Sequence, residues 1–419
     1  TNKRQKRINF SLLFTTIMDV QTRLKIVVFL PCVTAPLSII GSCLTLLTIS
    51  RTRQLLKRLT TYHRLLIHIS LLDILLSIGF ALGPLPIPSS TGFAGAHGTT
   101  GTCTFQAFLL MLGLASLACN NMLMIYYVLM IRYNTRESTI EKLEPFLHII
   151  PPLFHFSVAI AGLFLQVYNP AGPFTCWVSV WPVGCSRDPL DDCTRGGPNG
   201  ETSAFFRDYL MIIPFIIWTL LLIILLWVIA LTVLIRYHNS QAFVFRGNSS
   251  STQSQSTQSQ SQQRQRSQRS QNSNHAKHTR QVIIQCFLYG IVFINTLIWR
   301  CIPTFFDWAG KRYDFFGQHY WITCFGVIFF PLQGIFNFMI FIRPRYLSGR
   351  PSHYGRWHSL KRAIWYPVPQ RTNSRVLGST DRANHSHRGT AVSSDDNRSC
   401  ERLVNNNPNE SETGAVSSD

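Results

Sequence analysis

Residues 209–235 read YLMIIPFIIWTLLLIILLWVIALTVLI, a stretch without a single charged side chain. A bilayer core about 30 Å thick is crossed by roughly 20 apolar residues in a helix, so this stretch alone is long enough to span it. Six more stretches of the same kind follow one another along the chain, at 26–50, 65–87, 103–131, 145–168, 281–304 and 319–342. Lipid offers the backbone no hydrogen-bond partner, so each is predicted to be a helix. A buried core helix of a soluble protein explains one such run, not seven in series. The expected fold is therefore an all-α membrane protein, a seven-transmembrane helix bundle over residues 26–346. Mean hydropathy is only +0.12 because polar segments separate the apolar runs.

Those polar segments carry the chain's net charge of +20. Nucleic-acid binding is one reading of so basic a chain, but the lysines and arginines flank apolar spans, where they meet lipid headgroups. No nucleic-acid partner is expected; the bilayer is. Arg51, Arg53, Lys57, Arg58 and Arg64 follow the first span, Arg132, Arg136 and Lys142 the third, and seven basic residues lie between Arg236 and Arg280. Arg343, Arg345, Arg350, Arg356, Lys361 and Arg362 follow the seventh. This side holds 21 basic residues against 12 on the other, six of the 12 in the N-terminal segment. The excess places these connections and the C-terminus in the cytosol. Residues 1–25 form a short extracellular segment, in keeping with the glycosylation triplet Asn9-Phe10-Ser11. The plasma membrane is the expected location.

Residues 248–274 are almost wholly Ser, Gln, Thr, Asn and Arg, and have nothing to bury. They are predicted to be a disordered third cytoplasmic loop, and 367–419 a disordered cytoplasmic tail. Between them, 347–366 is a membrane-surface segment. Trp357, Leu360 and Ile364 recur there at helical spacing beside Arg356, Lys361 and Arg362.

Cys103 opens the third span, and Cys176, Cys185 and Cys193 crowd the following outer loop. An oxidising outer compartment lets disulfides persist. The expected pairing is Cys103–Cys176 with Cys185–Cys193 as a second bond, although four cysteines allow three arrangements. Zinc is the competing reading, but spacings of nine and eight residues do not resemble a zinc motif. No metal or other cofactor is expected.

Asp73 is the one carboxylate deep in a span, and an unpaired carboxylate there is costly. It reads either as a switch or as a fixed contact between helices. Asn120 and Asn121 lie midway along the third span; Gln333 and Asn337 share a face of the seventh. With Asp73 they form either a polar switch network or plain helix adhesion. His148 and His155 share a face of the fourth span, where a proton or metal site competes with simple hydrogen bonding. Pro151-Pro152 between them is expected to bend or break that helix. Trp177, Trp181, Trp308 and Trp321 read as interfacial anchors. No phosphate-binding glycine loop, G-x-S-x-G or H-E-x-x-H is present, so an enzyme is not expected. A transporter or channel is the alternative, but it calls for internal repeats and charged midplane residues.

Several local motifs sharpen this reading. Thr61-Tyr62-His63-Arg64 precedes Ser70-Leu71-Leu72-Asp73 in the second span, and Cys176-Trp177-Val178 sits in the second outer loop. Phe330-Pro331-Leu332-Gln333-Gly334-Ile335-Phe336-Asn337 lies in the seventh, which ends on Arg343-Pro344-Arg345-Tyr346. Over about residues 26–346 the chain resembles G-protein-coupled receptors of the secretin-like and cyclic-AMP-receptor-like type, and most of all such receptors of protists and algae. The resemblance implies an extracellular ligand, a small one in the bundle, and a heterotrimeric G protein as partner. Arg132, Arg136 and Lys142 would face that G protein, together with Glu137, Glu141 and Glu144 of the second loop. The third span ends Ile131-Arg132-Tyr133 where rhodopsin-like receptors have Asp-Arg-Tyr, so Arg132 has no adjacent acid. The seventh span has no lysine for a retinal Schiff base.

Overall fold

The computed structural model describes residues 20–56, 59–183, 185, 192–247, 280–299, 302, 320–348 and 355–365. All belong to the first of two compact units, Thr1–Val368; the second, Pro369–Asp419, lies outside the described residues. So do the Asn9 triplet, the 248–274 loop, Trp308 and the tail.

The chain folds as an all-α multi-pass membrane protein. Among the described residues six helices are long and apolar enough to cross a bilayer, and a bent pair makes a seventh if counted as one span. Helix α1 covers Val20–Leu56, α2 Thr61–Ala81, α3 Thr100–Gly113, α4 Ala115–Ile131 and α5 Glu137–Phe164. A short hairpin of β1 (Tyr168–Pro170) and β2 (Cys176–Val178) pairs antiparallel, Asn169 opposite Trp177. Then come α6 (Glu201–Phe205), a π turn over Phe206–Ile212, α7 (Ile213–Gly247) and α8 (Arg280–Trp299). The bent pair is α9 (Tyr320–Phe329) and α10 (Gln333–Ser348), and α11 (Arg356–Trp365) ends the described chain.

Several boundaries differ from the apolar runs. Helix α2 stops at Ala81 rather than 87. Gly83 takes φ +52°, and Pro84, Pro86 and Pro88 have no N–H to continue the ladder. Helix α3 begins at Thr100, before Cys103, because Thr99 and Thr102 cap each other's backbone N–H groups at 3.3 and 2.8 Å. The fourth span starts at Glu137 rather than 145, so Glu141, Lys142 and Glu144 stand on helix and not on a loop. Of the bend or break expected at Pro151-Pro152, the break does not occur: that helix continues through Pro145, Pro151 and Pro152. The seventh span does break: α9 and α10 meet at 55° across Phe330-Pro331-Leu332.

Helix α4 is the hub. Nearly every side chain from Ala115 to Ile131 is buried, and α2, α5 and α7 pack around it. The outer surface is the reverse of a soluble protein's. Phe146, Ile149, Ile150 and Leu153 on α5, and Ile216, Ile217, Leu220, Ile223, Ile224 and Trp227 on α7, are all exposed. Such a continuous apolar girdle suits hydrocarbon and not water.

The tightest seam joins α1 to α10. A Cβ on Gly334 would lie 2.6 Å from the Ser38 carbonyl oxygen, and one on Gly41 2.7 Å from the Ile335 nitrogen. Only hydrogen at both positions lets the backbones approach this closely, as helices do in lipid. The Gly334 N–H donates to Ser38 Oγ at 2.9 Å across the seam. Helix α11 packs Ala363, Leu360 and Ile364 against Phe338 and Ile342 of α10. Trp357, expected on that same apolar face, is 68% exposed.

Candidate functional site

Polar side chains that sequence scatters over hundreds of positions gather at three levels of the bundle. At the level that the expected topology makes the outer one, Cys103–Cys176 ties the start of α3 to β2, and Cys185–Cys193 closes a small ring in the same loop. Both bonds use the thiols that a zinc site would need. Beside the first lies Gln106, fully buried. Its Nε2 donates to the carbonyls of Gly79 (2.9 Å) and Gly83 (2.8 Å), and its Oε1 accepts from Cys176 N (3.0 Å). One amide thus finishes the end of α2 and holds the hairpin over the bundle. The Tyr168 hydroxyl donates to Ala159 O at 3.0 Å, and burial pushes this phenol above the usual tyrosine range. Arg195 donates to Thr104 Oγ1 and Tyr168 O, and its burial lowers the guanidinium's pKa. Trp177, expected at the lipid interface, instead packs between the two main apolar clusters of the bundle.

At mid-depth the structure joins Asp73 to Asn337. Both are buried, and Asn337 Nδ2 donates to Asp73 Oδ2 at 2.9 Å, linking α2 to α10 just inward of the bend. Asn120 and Asn121 turn back on their own helix, to Ser116 O at 2.8 Å and Leu117 O at 3.3 Å. A bond four residues back along the helix is always within reach, whereas one across helices needs the right facing side chain. Gln333 is 2% exposed, and neither of its amide atoms has a partner among the described residues.

At the inner level Tyr62 (α2), Tyr126 and Tyr127 (α4), Tyr289 (α8) and Phe341 (α10) form one aromatic cluster. Gln285 Nε2 donates to the Tyr62 hydroxyl at 2.5 Å, and that hydroxyl shares a 3.2 Å bond with Tyr289. These bonds tie the inner end of α8 to α2. Next to them Glu137 accepts from Thr61 N (2.8 Å) and from the Tyr126 hydroxyl (3.3 Å). Glu144 pairs with Arg64 and with His148 Nε2 at 3.2 Å, and His148 Nδ1 meets His68 Nδ1 at 2.8 Å. The carboxylates expected to form a contact surface with Arg136 and Lys142 are therefore turned inward onto α2. Arg132, Arg136 and Lys142 themselves are exposed. Among the described residues no group of three or more His, Cys, Asp or Glu side chains could hold a metal.

Between the outer and middle levels a cleft opens among α3, α4, α5, α7 and α8, walled by residues such as Met111, Leu117, Phe154, Val158, Met211 and Phe293. About 470 Å³ lies between its lining atoms, counting the part open to the outside.

Sequence reading missed Gln106 and the tyrosine cluster. Gln106 carries a signal, being an amide inside an apolar run. Tyr126, Tyr127 and Tyr289 carry none, because a tyrosine in a span reads equally as packing. Compared with known protein families the chain matches none, and it matches no curated protein.

Proposed function

We propose that the chain is a seven-transmembrane receptor of the G-protein-coupled type. On this reading it lies in the plasma membrane with its N-terminus outside and its C-terminus in the cytosol. The observation that carries the reading is the inner latch: Tyr62 hydrogen-bonded to both Gln285 and Tyr289, so that α8 is held against α2 by bonds that can be exchanged. Further support comes from the disulfide holding the second outer loop to the third span and from the Asp73–Asn337 bond beside the bent seventh.

A ligand in the cleft touches α7 and α8 at Phe215 and Phe293. If it favours an arrangement with α8 swung outward, the population shifts toward an open cytoplasmic cavity. That arrangement gives up the Gln285–Tyr62 and Tyr62–Tyr289 bonds. A heterotrimeric G protein then enters beside the exposed Arg132, Arg136 and Lys142. Nucleotide exchange on G proteins from the native cell, with the receptor in lipid nanodiscs, tests this. Exchange should rise with receptor and rise again in Tyr62→Phe. Failure of every G protein to respond to either form would count against the reading. So would epitope labelling that finds both termini on one side of the membrane.

A further inference from the structure

The cleft described above has a chemistry of its own. Among the described residues no Asp, Glu, Lys or Arg lines it, and besides the indole of Trp218 the polar side chains there are His155 and Thr219. His155 is 9% exposed, and its Nδ1 lies 3.0 Å from the carbonyl oxygen of Pro151. A carbonyl oxygen only accepts, so Nδ1 must carry the proton. In the neutral imidazole Nε2 is then a bare acceptor, and no other described residue bonds it. With no anion in the lining, nothing there would hold a second proton. The Thr219 hydroxyl already donates to Phe215 O at 2.8 Å, so it too presents only lone pairs. An apolar cleft offering acceptors asks for a donor.

The route in follows from the packing. Helices α5 and α7 both pack on α4 rather than closely on each other, and Phe154 and Pro214, which line the cleft from the two helices, are half-buried, so in a bilayer the gap between them would meet lipid. The wall on the α7 side includes the end of the π turn and Pro214, where the regular helical ladder is already interrupted. Walls of Met111, Met211 and Phe215 can shift to admit a ring.

We propose that this cleft binds a neutral, largely apolar molecule with one hydrogen-bond donor, of the phenol or alcohol class, which enters from the bilayer and donates to His155 Nε2. This rests on the receptor reading only in calling the molecule a signal. The binding itself does not require a G protein.

Photolabelling of the full chain in nanodiscs tests it. The probes are a 4-alkylphenol with a diazirine in its chain and the methyl ether of the same compound, compared at equal membrane concentration. The phenol is expected to label the cleft peptides around Met111, Phe154 and Met211 about tenfold more than the ether, the worth of one hydrogen bond. In His155→Leu the phenol should fall to the level of the ether, while His155→Gln, which keeps an acceptor, should retain the preference. Should His155→Leu not fold, Val158→Phe narrows the cleft without touching the histidine and should suppress both probes. Equal labelling by phenol and ether, labelling elsewhere in the bundle, or an undiminished phenol signal in His155→Leu would overturn the proposal. Phenol binding without any nucleotide exchange would leave this site standing and remove the receptor. Exchange driven by a charged ligand, with the cleft unlabelled, would do the opposite.

Discussion

Replacing Gln106 with leucine removes three hydrogen bonds at one stroke and nearly preserves volume. The carbonyls of Gly79 and Gly83 lie at the end of α2, where the helix supplies no further N–H, and Gly83 N itself turns to Phe80 O. The Cys176 N–H faces Gln106 Oε1 rather than a strand. All three are sealed beneath the hairpin. At about 1–3 kcal/mol for each polar group buried without a partner, the loss is about 3 kcal/mol even at the lower bound. Gln106→Glu should do no better, because it keeps the acceptor for Cys176 N but turns a carboxylate oxygen toward two carbonyls. The assay is the loss of monodisperse protein on heating in detergent, followed by size-exclusion chromatography. Both variants should melt well below the parent while the Cys103–Cys176 bond, checked by mass spectrometry, still forms. If Gln106→Leu melts with the parent, the capping role assigned to this amide is wrong.

Four other outcomes follow from the same reasoning. Asn337→Asp sets two carboxylates where one now accepts an amide at 2.9 Å, and should cut the folded yield about tenfold or more; adding Asp73→Asn should restore most of it, a coupling read in a double-mutant cycle. Tyr62→Phe removes two latch bonds worth about 1 kcal/mol each, and should raise basal nucleotide exchange several-fold if the latch holds the resting state. Gly334→Ala forces a methyl group to 2.6 Å from Ser38 O and should lower stability by about 1–3 kcal/mol, measured by the same heating assay. Because burial raises the Tyr168 phenol, the folded chain holds this proton more tightly than the unfolded one; its stabilising effect is present below about pH 10 and declines as pH rises beyond it. Tyr168→Phe should therefore lose less stability between neutral and alkaline pH than the parent, though it starts lower for want of the bond to Ala159 O.

Much of the architecture was legible in the chain. Apolar runs are read one at a time, and a run long enough to cross lipid needs no knowledge of its neighbours. The cysteines of the outer loop were legible for a similar reason, since their chemistry depends on compartment, although three pairings stayed open until Cα positions decided among them. Helix ends were less so. The end of α2 is set by Gly83 and its prolines, which can be read; the start of α5 is set by Glu137 reaching Thr61 across the bundle, which cannot.

By itself, then, the order of residues determined that the chain is helical, that it enters the membrane repeatedly, and which polar groups had to be brought in with it. It left open what those groups touch. Asp73 had four candidate companions and took Asn337, while Asn120 and Asn121 bonded backward along their own helix. His148 and His155, one face and two turns apart, went to His68 and to a backbone carbonyl. Such choices rest on distances of a few ångström between helices far apart in the chain, and only packing fixes them. Hydropathy is a property of a segment, whereas a hydrogen bond in a bundle is a property of a pair.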